Sequence, residues 1–149
     1  MSESNEPAAT GDTLRALRRR HLRFGWYALL GFLALGAALE GLHGFKAGFY
    51  LDVTHETRRL MWRLAHAHGT LLALVNVAFA LSLEALTEQE PARLRFASAC
   101  LLIGALLVPL GFFAGGVFAK NGDPELFVLL VPLGALLLFL GVLQVARRT

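Results

Sequence analysis

Five ionisable side chains interrupt otherwise apolar stretches of this sequence, and their spacing suggests metal or cofactor chemistry. Glu40 and His43 belong to the tetrapeptide EGLH, while Arg63, His66 and His68 fall in RLAHAH. Glu-x-x-His on one helix is a spacing that helical bundles use to bind transition metals. Imidazole nitrogens are also axial ligands of haem. Because burying a lone charge is costly, ionisable groups in such surroundings need a partner or a function.

Helical periodicity brings most of these groups together. Residues three apart lie side by side on a helix, so Glu40 and His43 share a face. We expect that face to contact a neighbouring helix, since it is a stripe of small and polar residues: Gly36, Glu40, His43, Gly44 and Ala47. A second stripe has His66 at its edge and consists of Ala65, Gly69, Ala73, Asn76 and Ala80. Antiparallel packing of the two stripes predicts a cluster at one level: Glu40, His43, Arg63 and His66.

The two histidines of the second stretch point in different directions. His68 lies about 200° around the helix from His66, since each residue advances about 100°. We therefore expect His66 to face the first apolar helix. One interpretation of the cluster is a metal ion held by Glu40, His43 and His66 with an open coordination position. The other is a structural ion pair between Glu40 and Arg63 that fixes the packing of the two helices.

A resemblance adds a haem interpretation. The segment HGTLLAL, residues 68–74, resembles the second-helix segment of haem–copper oxidase subunit I, where His-Gly-Thr carries a low-spin haem ligand. The resemblance implies that His68 is an axial ligand of haem b. His66 and His43 are further candidate ligands, and Asn76 is a candidate orienting group. The layout of the chain is also similar to small four-span membrane proteins of bacteria that carry His-x-His in the second span.

Four stretches are apolar over the roughly 20 residues that a helix needs to cross a membrane. The predicted spans cover about 24–45, 60–86, 96–118 and 126–146. Backbone groups in lipid must bond within their own segment. We therefore predict an all-α integral membrane protein whose antiparallel four-helix transmembrane bundle occupies residues 14–149. The polar tail, residues 1–13, is predicted to be disordered.

Composition and charge placement agree with this class of protein. The chain is 56% apolar and only 17% charged, with a mean hydropathy of +0.56. Its basic residues flank the apolar runs, so we expect the lipid bilayer, and no nucleic acid, as a partner. Of the 14 Lys and Arg residues, nine lie on the side of the two termini. This excess predicts cytoplasmic termini in a bacterial inner membrane.

Spans three and four share a six-residue repeat, LLVPLG, at 106–111 and 129–134. In antiparallel helices Pro109 and Pro132 would lie at similar depths. Proline inside a membrane helix usually kinks it. Paired kinks at these positions would open a cavity between the two helices.

Two functions fit these features, and whether either involves catalysis stays open. The first is binding of haem b or a single transition metal ion, in a redox role, in a polar pocket between spans one and two on the side opposite the termini. The alternative is a non-enzymatic accessory or assembly subunit, as a homodimer or in a larger membrane complex, whose ionisable cluster is structural. The sequence contains no phosphate-binding loop, nucleophile elbow or Cys-x-x-Cys motif.

Overall fold

Nearly all of the described chain is helical. The computed structural model describes residues 6–52, 55–86 and 90–147. Its helices are α1 (Glu6–Gly44), α2 (Gly48–Leu51), α3 (Glu56–Ser82), α4 (Pro91–Val117) and α5 (Leu130–Ala146). Two 3₁₀ segments adjoin them, Leu83–Leu86 after α3 and Glu125–Leu129 before α5. The predicted all-α four-helix bundle is confirmed.

Four helical stretches are long and apolar enough to cross a membrane, which supports a multi-pass membrane protein: Gly11–Gly44, Glu56–Leu86, Pro91–Val117 and Glu125–Ala146. The described part of the chain begins inside the tail for which disorder is predicted, residues 1–13. α1 begins at Glu6, and residues 1–5 lie outside the described part. Pro7 falls in the first helical turn, where a missing N–H removes no intrahelical bond, and the alanines that follow favour a helix.

The long helices pack in chain order. α1 lies mainly on α3, α3 on α4, and α4 on α5. The main apolar core joins α1, α3 and α4, and its buried members are Leu17, Phe79, Leu83, Leu86, Leu94, Ala97 and Leu101. Leu138 and Val145 of α5 pack against this core. The remaining faces of α1 and α5 expose large apolar side chains, such as Leu30 and Phe139, which is the surface that lipid would cover in a bilayer.

The helix ends meet at two ends of the bundle, which we call the termini end and the loop end. The termini end contains the start of α1, the end of α3, the start of α4 and the end of α5. The loop end contains residues 45–52, 55 and 118–124. At the loop end a tight turn joins α4 to the segment before α5, because Lys120 and Asp123 exchange both backbone hydrogen bonds at 3.0 and 2.8 Å. Gly122 adopts a φ of +85°, a conformation that favours glycine.

Glycines form the contact between α4 and α5. Each helix carries two glycines seven residues apart, and each glycine receives an aliphatic side chain of the other helix: Gly104 receives Leu138, Gly111 receives Val131, Gly134 receives Val108, and Gly141 receives Leu101. One antiparallel register runs through all four contacts. Such a seven-residue repeat keeps the same seam facing the partner helix along its length. Within the described part of α5, only Gly134 and Gly141 are buried.

The two copies of LLVPLG pack on each other reciprocally. Gly111 of the first copy contacts Val131 of the second, and Gly134 of the second copy contacts Val108 of the first. Both copies therefore play the same structural part in the α4–α5 seam.

The predicted pair of proline kinks is wrong for one of the two prolines. Pro109 lies inside α4 and is buried. Pro132, however, lies in the first turn of α5, because a 3₁₀ segment and not an α-helix covers Glu125–Leu129. A proline in a first turn breaks no intrahelical hydrogen bond.

Candidate functional site

A groove of about 870 Å³ opens between α1 and α3 toward the loop end of the bundle. Its walls are largely apolar, with Leu33 on α1 and Leu60 and Leu64 on α3. Its polar lining consists of Glu40, His43, Tyr50, Arg59, Arg63 and His66. The four side chains that the sequence predicts at one level all line this cavity, which we call the α1–α3 groove.

His66 is held in a defined orientation against α1, the helix that its position predicts. Its Nδ1–H donates a hydrogen bond of 2.7 Å to the carbonyl oxygen of Phe32. Since a carbonyl only accepts, the proton of the neutral ring is on Nδ1 and the lone pair is on Nε2. The ring lies over Gly36, where an added Cβ would collide with the His66 Cε1 atom. Gly36 therefore makes the space that the imidazole occupies.

Replacing Gly36 by alanine should displace the His66 ring and weaken its bond to Phe32. We expect a loss of about 1–2 kcal/mol in the free energy of unfolding, since overpacking and a lost hydrogen bond act together. SDS-induced unfolding in mixed micelles would measure it. Gly41→Ala is the matched control, because nothing lies within 4 Å of a Cβ added at Gly41. An equal loss in both variants would show that the effect comes from the helix and not from the contact with His66.

The α1 stripe faces α3 only in part, which corrects the prediction. Gly36 makes the expected contact, but Glu40, His43 and Gly44 are exposed. Leu39 takes the buried position instead, with 6% exposure. A large apolar side chain gains more from burial than a carboxylate or an imidazole does, so α1 turns Leu39 toward the bundle and leaves Glu40 at the groove edge.

The predicted pairings inside the groove are not formed in this structure. The ion pairs found in residues 11–52, 55–86 and 90–147 join Arg15 to Asp12, Arg18 to Glu84, and Arg93 to Glu90. None of them joins Glu40 to Arg63, because both side chains extend into an open groove. Across the same residues no three His, Cys, Asp or Glu side chains approach closely enough to hold one metal ion. The predicted ligand set of Glu40, His43 and His66 is therefore not assembled.

His68 lies on a different side of α3. Its Nδ1–H donates to the carbonyl oxygen of Leu64 at 2.9 Å, and its ring lies 4.9 Å from that of Phe112 on α4. His68 is therefore absent from the lining of the α1–α3 groove. The hydroxyl of Thr70, in the same His-Gly-Thr segment, is buried and has no hydrogen-bond partner in the described structure.

One buried histidine is not among the site residues predicted from the sequence. His21 is fully buried and joins three helices through its ring nitrogens. Its Nδ1–H donates to Asn76 Oδ1 at 2.7 Å, since the Asn76 amide nitrogen is committed to the carbonyl oxygen of Leu72. The Ser98 hydroxyl, 2.8 Å away, donates to Nε2 of the neutral ring. We call His21, Asn76 and Ser98 the three-helix network.

The three-helix network engages Asn76, which the sequence predicts as an orienting group. The ten-residue step from His66 to Asn76 corresponds to about 15 Å along α3. In this structure the Asn76 side chain contacts His21 and the Leu72 carbonyl oxygen. A signal for His21 was present in the sequence, because it shares a helical face with Leu14, Leu17 and Phe24. The arginines on either side conceal that signal.

Aromatic and arginine contacts lie beside the groove at the loop end. Trp62 stacks between Tyr50 and Phe113, with ring centroids 6.3 and 5.9 Å apart. Arg59 donates through Nη1 to the carbonyl oxygens of Tyr50 and Asp52, at 3.1 and 2.9 Å. Arg59 is thus anchored beside the groove, whereas the guanidinium of Arg63 has no partner among the described residues.

The α1–α3 groove thus combines an oriented imidazole, a carboxylate and an unpaired guanidinium between apolar walls. Glu40 and Arg63 line the groove and are exposed, while His66 is held against α1. Comparison with protein-family models, with curated proteins and with solved structures finds no match for this chain.

Proposed function

We propose that the α1–α3 groove binds haem b and that His66 is its axial ligand. The observation that carries this proposal is the orientation of His66, whose Nδ1–H is bound to the Phe32 carbonyl. Metal-bound imidazoles almost always donate their second nitrogen to a carbonyl or carboxylate in this way, which leaves the other nitrogen as the ligand. When bound, haem would supply one-electron redox chemistry.

The basic side chains near His66 could pair with the acidic groups at the edge of a haem. Haem carries two propionates, and guanidinium groups pair well with carboxylates. Arg63 is unpaired and lines the same groove, and Arg59 lies beside it. Glu40 is the neighbouring acid in the groove lining, and Leu33, Leu60 and Leu64 would supply apolar contacts to the bound group.

The size of the groove is compatible with this assignment. Its volume of about 870 Å³ lies in the range of roughly 300–1,000 Å³ that ligand pockets usually have. Gly36 contributes by letting the imidazole lie directly on α1. A single metal ion is the weaker candidate for the same groove, since no three His, Cys, Asp or Glu side chains of the described chain gather to hold one.

This proposal differs from the one that the oxidase resemblance implies. In that resemblance His68 is the axial ligand, but its ring faces Phe112 on α4. We therefore propose His66 for the α1–α3 groove. The excess of basic residues at the termini end leads us to propose cytoplasmic termini in a bacterial inner membrane, with the groove toward the opposite leaflet.

Absorption spectra of full-length protein, purified in mild detergent from cells supplied with a haem precursor, test the proposal. The wild type should show a Soret band and sharp bands after dithionite reduction. His66→Ala should lose them, because the side chain that would provide the iron ligand is gone. Circular dichroism of the same samples reports whether the helices remain.

His68→Ala is the matched control, since it removes a histidine two residues away on the same helix but outside the groove. It should retain the spectrum. A folded wild type that stays colourless with haem supplied would contradict the proposal and favour an accessory subunit with a structural cluster. Loss of the spectrum in His68→Ala alone would instead indicate that the ligand is His68, on the side of α3 that faces α4.

A further inference from the structure

The arginines near the starts of α1 and α4 include two sets with different surroundings. One set holds the termini end together, since Arg18 Nη1 donates to Glu84 Oε1 at 2.6 Å and Arg95 Nη2 donates to Thr13 Oγ1 at 3.1 Å. The other set lines a shallow groove of about 620 Å³ on the outer face of α1: Arg15, Arg19, Arg20 and Arg23, with Asp12 and Ala16. We call this second set the arginine face.

Few acidic groups of the described chain neutralise the arginine face. Among the described side chains, its one ion pair joins Arg15 to Asp12 at 3.7 Å, and both side chains are at least 80% exposed. Such exposed pairs contribute little. Arg19 and Arg23 form no ion pair with any described residue. Several positive charges therefore point away from the bundle within two turns of helix.

The exposed residues along α1 change type in the order of the layers of a membrane, from its surface inward. After Arg19 and Arg23 the exposed side chains are Trp26 and Tyr27, and then Leu30. Positions i, i+4, i+7 and i+8 share a helical face, so this is one continuous strip. At about 1.5 Å per residue the change takes about 16 Å. Charged, aromatic and aliphatic residues in this order correspond to headgroups, interface and hydrocarbon.

We propose that the arginine face binds the phosphate of an anionic phospholipid. One guanidinium group can bind two phosphate oxygens at once. Several neighbouring arginines raise the local affinity for anionic headgroups. A free phosphate would use only the guanidinium groups. A lipid also places its acyl chains along Trp26, Tyr27 and Leu30, which continue the same strip. This continuity is why we assign the site to a lipid, and the assignment is independent of the proposed haem site.

Quenching of Trp26 fluorescence by brominated lipids tests the proposal. The chain has two tryptophans, so Trp62→Phe leaves Trp26 as the single reporter, three residues beyond Arg23. In bilayers of phosphatidylcholine, brominated phosphatidylglycerol should quench Trp26 more strongly than brominated phosphatidylcholine at the same mole fraction. Replacing Arg19 and Arg23 by glutamine should lower this preference by about fivefold for each arginine.

Arg18→Gln in the same background is the matched control, because Arg18 lies on the other side of α1 and is bound to Glu84. The preference should survive in this variant. Equal quenching by both lipids, or an equal loss in Arg18→Gln, would overturn the proposal. So would removal of the preference by millimolar inorganic phosphate at constant ionic strength, since the site would then bind free phosphate and not lipid.

Discussion

Replacing His21 by alanine should destabilise the bundle by about 3–5 kcal/mol. The ring is fully buried, packs edge-on against Phe79 at 4.6 Å, and bonds to two other helices. Its removal would leave a cavity and would also leave Asn76 Oδ1 and the Ser98 hydroxyl without their partner. Unfolding of the purified protein by SDS in mixed micelles, followed by circular dichroism, measures the loss.

His43→Ala is the control for this prediction. His43 is also a histidine of α1, but it is exposed, and its replacement should leave the free energy of unfolding nearly unchanged. A double-mutant cycle with Asn76→Ala then isolates the network, because residues in one hydrogen-bond network are coupled by about 0.5–3 kcal/mol. Additive effects of His21→Ala and Asn76→Ala would contradict a network that joins α1 to α3.

Gly104→Ala should cost about 1–3 kcal/mol, because the added methyl group has no room in the α4–α5 seam. A Cβ at this position would lie 2.6 Å from Leu138 Cγ and 2.8 Å from the carbonyl oxygen of Gly134. The Leu138 side chain can rotate away, but the Gly134 carbonyl belongs to the backbone of α5, so the two helices must separate. The same SDS titration gives the change in the free energy of unfolding.

Gly31→Ala is the matched control in a helix interior, because nothing lies within 4 Å of its added Cβ. Alanine favours a helix over glycine by about 1 kcal/mol, so this variant should be neutral or more stable. A Gly104→Ala protein that is as stable as Gly31→Ala would mean that α4 and α5 are not in contact at Gly104.

The helices could be predicted from the sequence because their signal is local. Each of the four apolar runs is long enough to span a bilayer, and each predicted span lies within one of the four observed helical stretches to within about one residue. The start of α1 could not be predicted, since the tail is polar as well as helix-favouring. The position of Pro132 depends on where a 3₁₀ segment gives way to α5, and no residue type marks that change.

The candidate site was predictable to the extent that helical geometry determines it. The 100° step separates His66 from His68 and turns them toward different helices, as the structure shows. The direction of Glu40 was not predictable, because the rotation of α1 depends on where Phe32 and Leu39 pack. The partners of His21 come from α3 and α4, and contacts between distant parts of the chain leave no local pattern.

The paired glycines of α4 and α5 have the same seven-residue spacing. The two helices therefore fit together at separate registers and not at the registers between them. Sliding α5 along α4 by three residues would set Gly104 against Gly141 and Gly111 against Gly134, and would set Leu138 against Leu107. Sliding it by one heptad would return three of the four glycines to an aliphatic partner: Gly111 to Leu138, Gly104 to Val145, and Gly141 to Val108. A second match of this glycine pattern would therefore lie about 10.5 Å away. The tight turn between Lys120 and Asp123 favours the observed alignment, because a displaced one would need a connection of a different length.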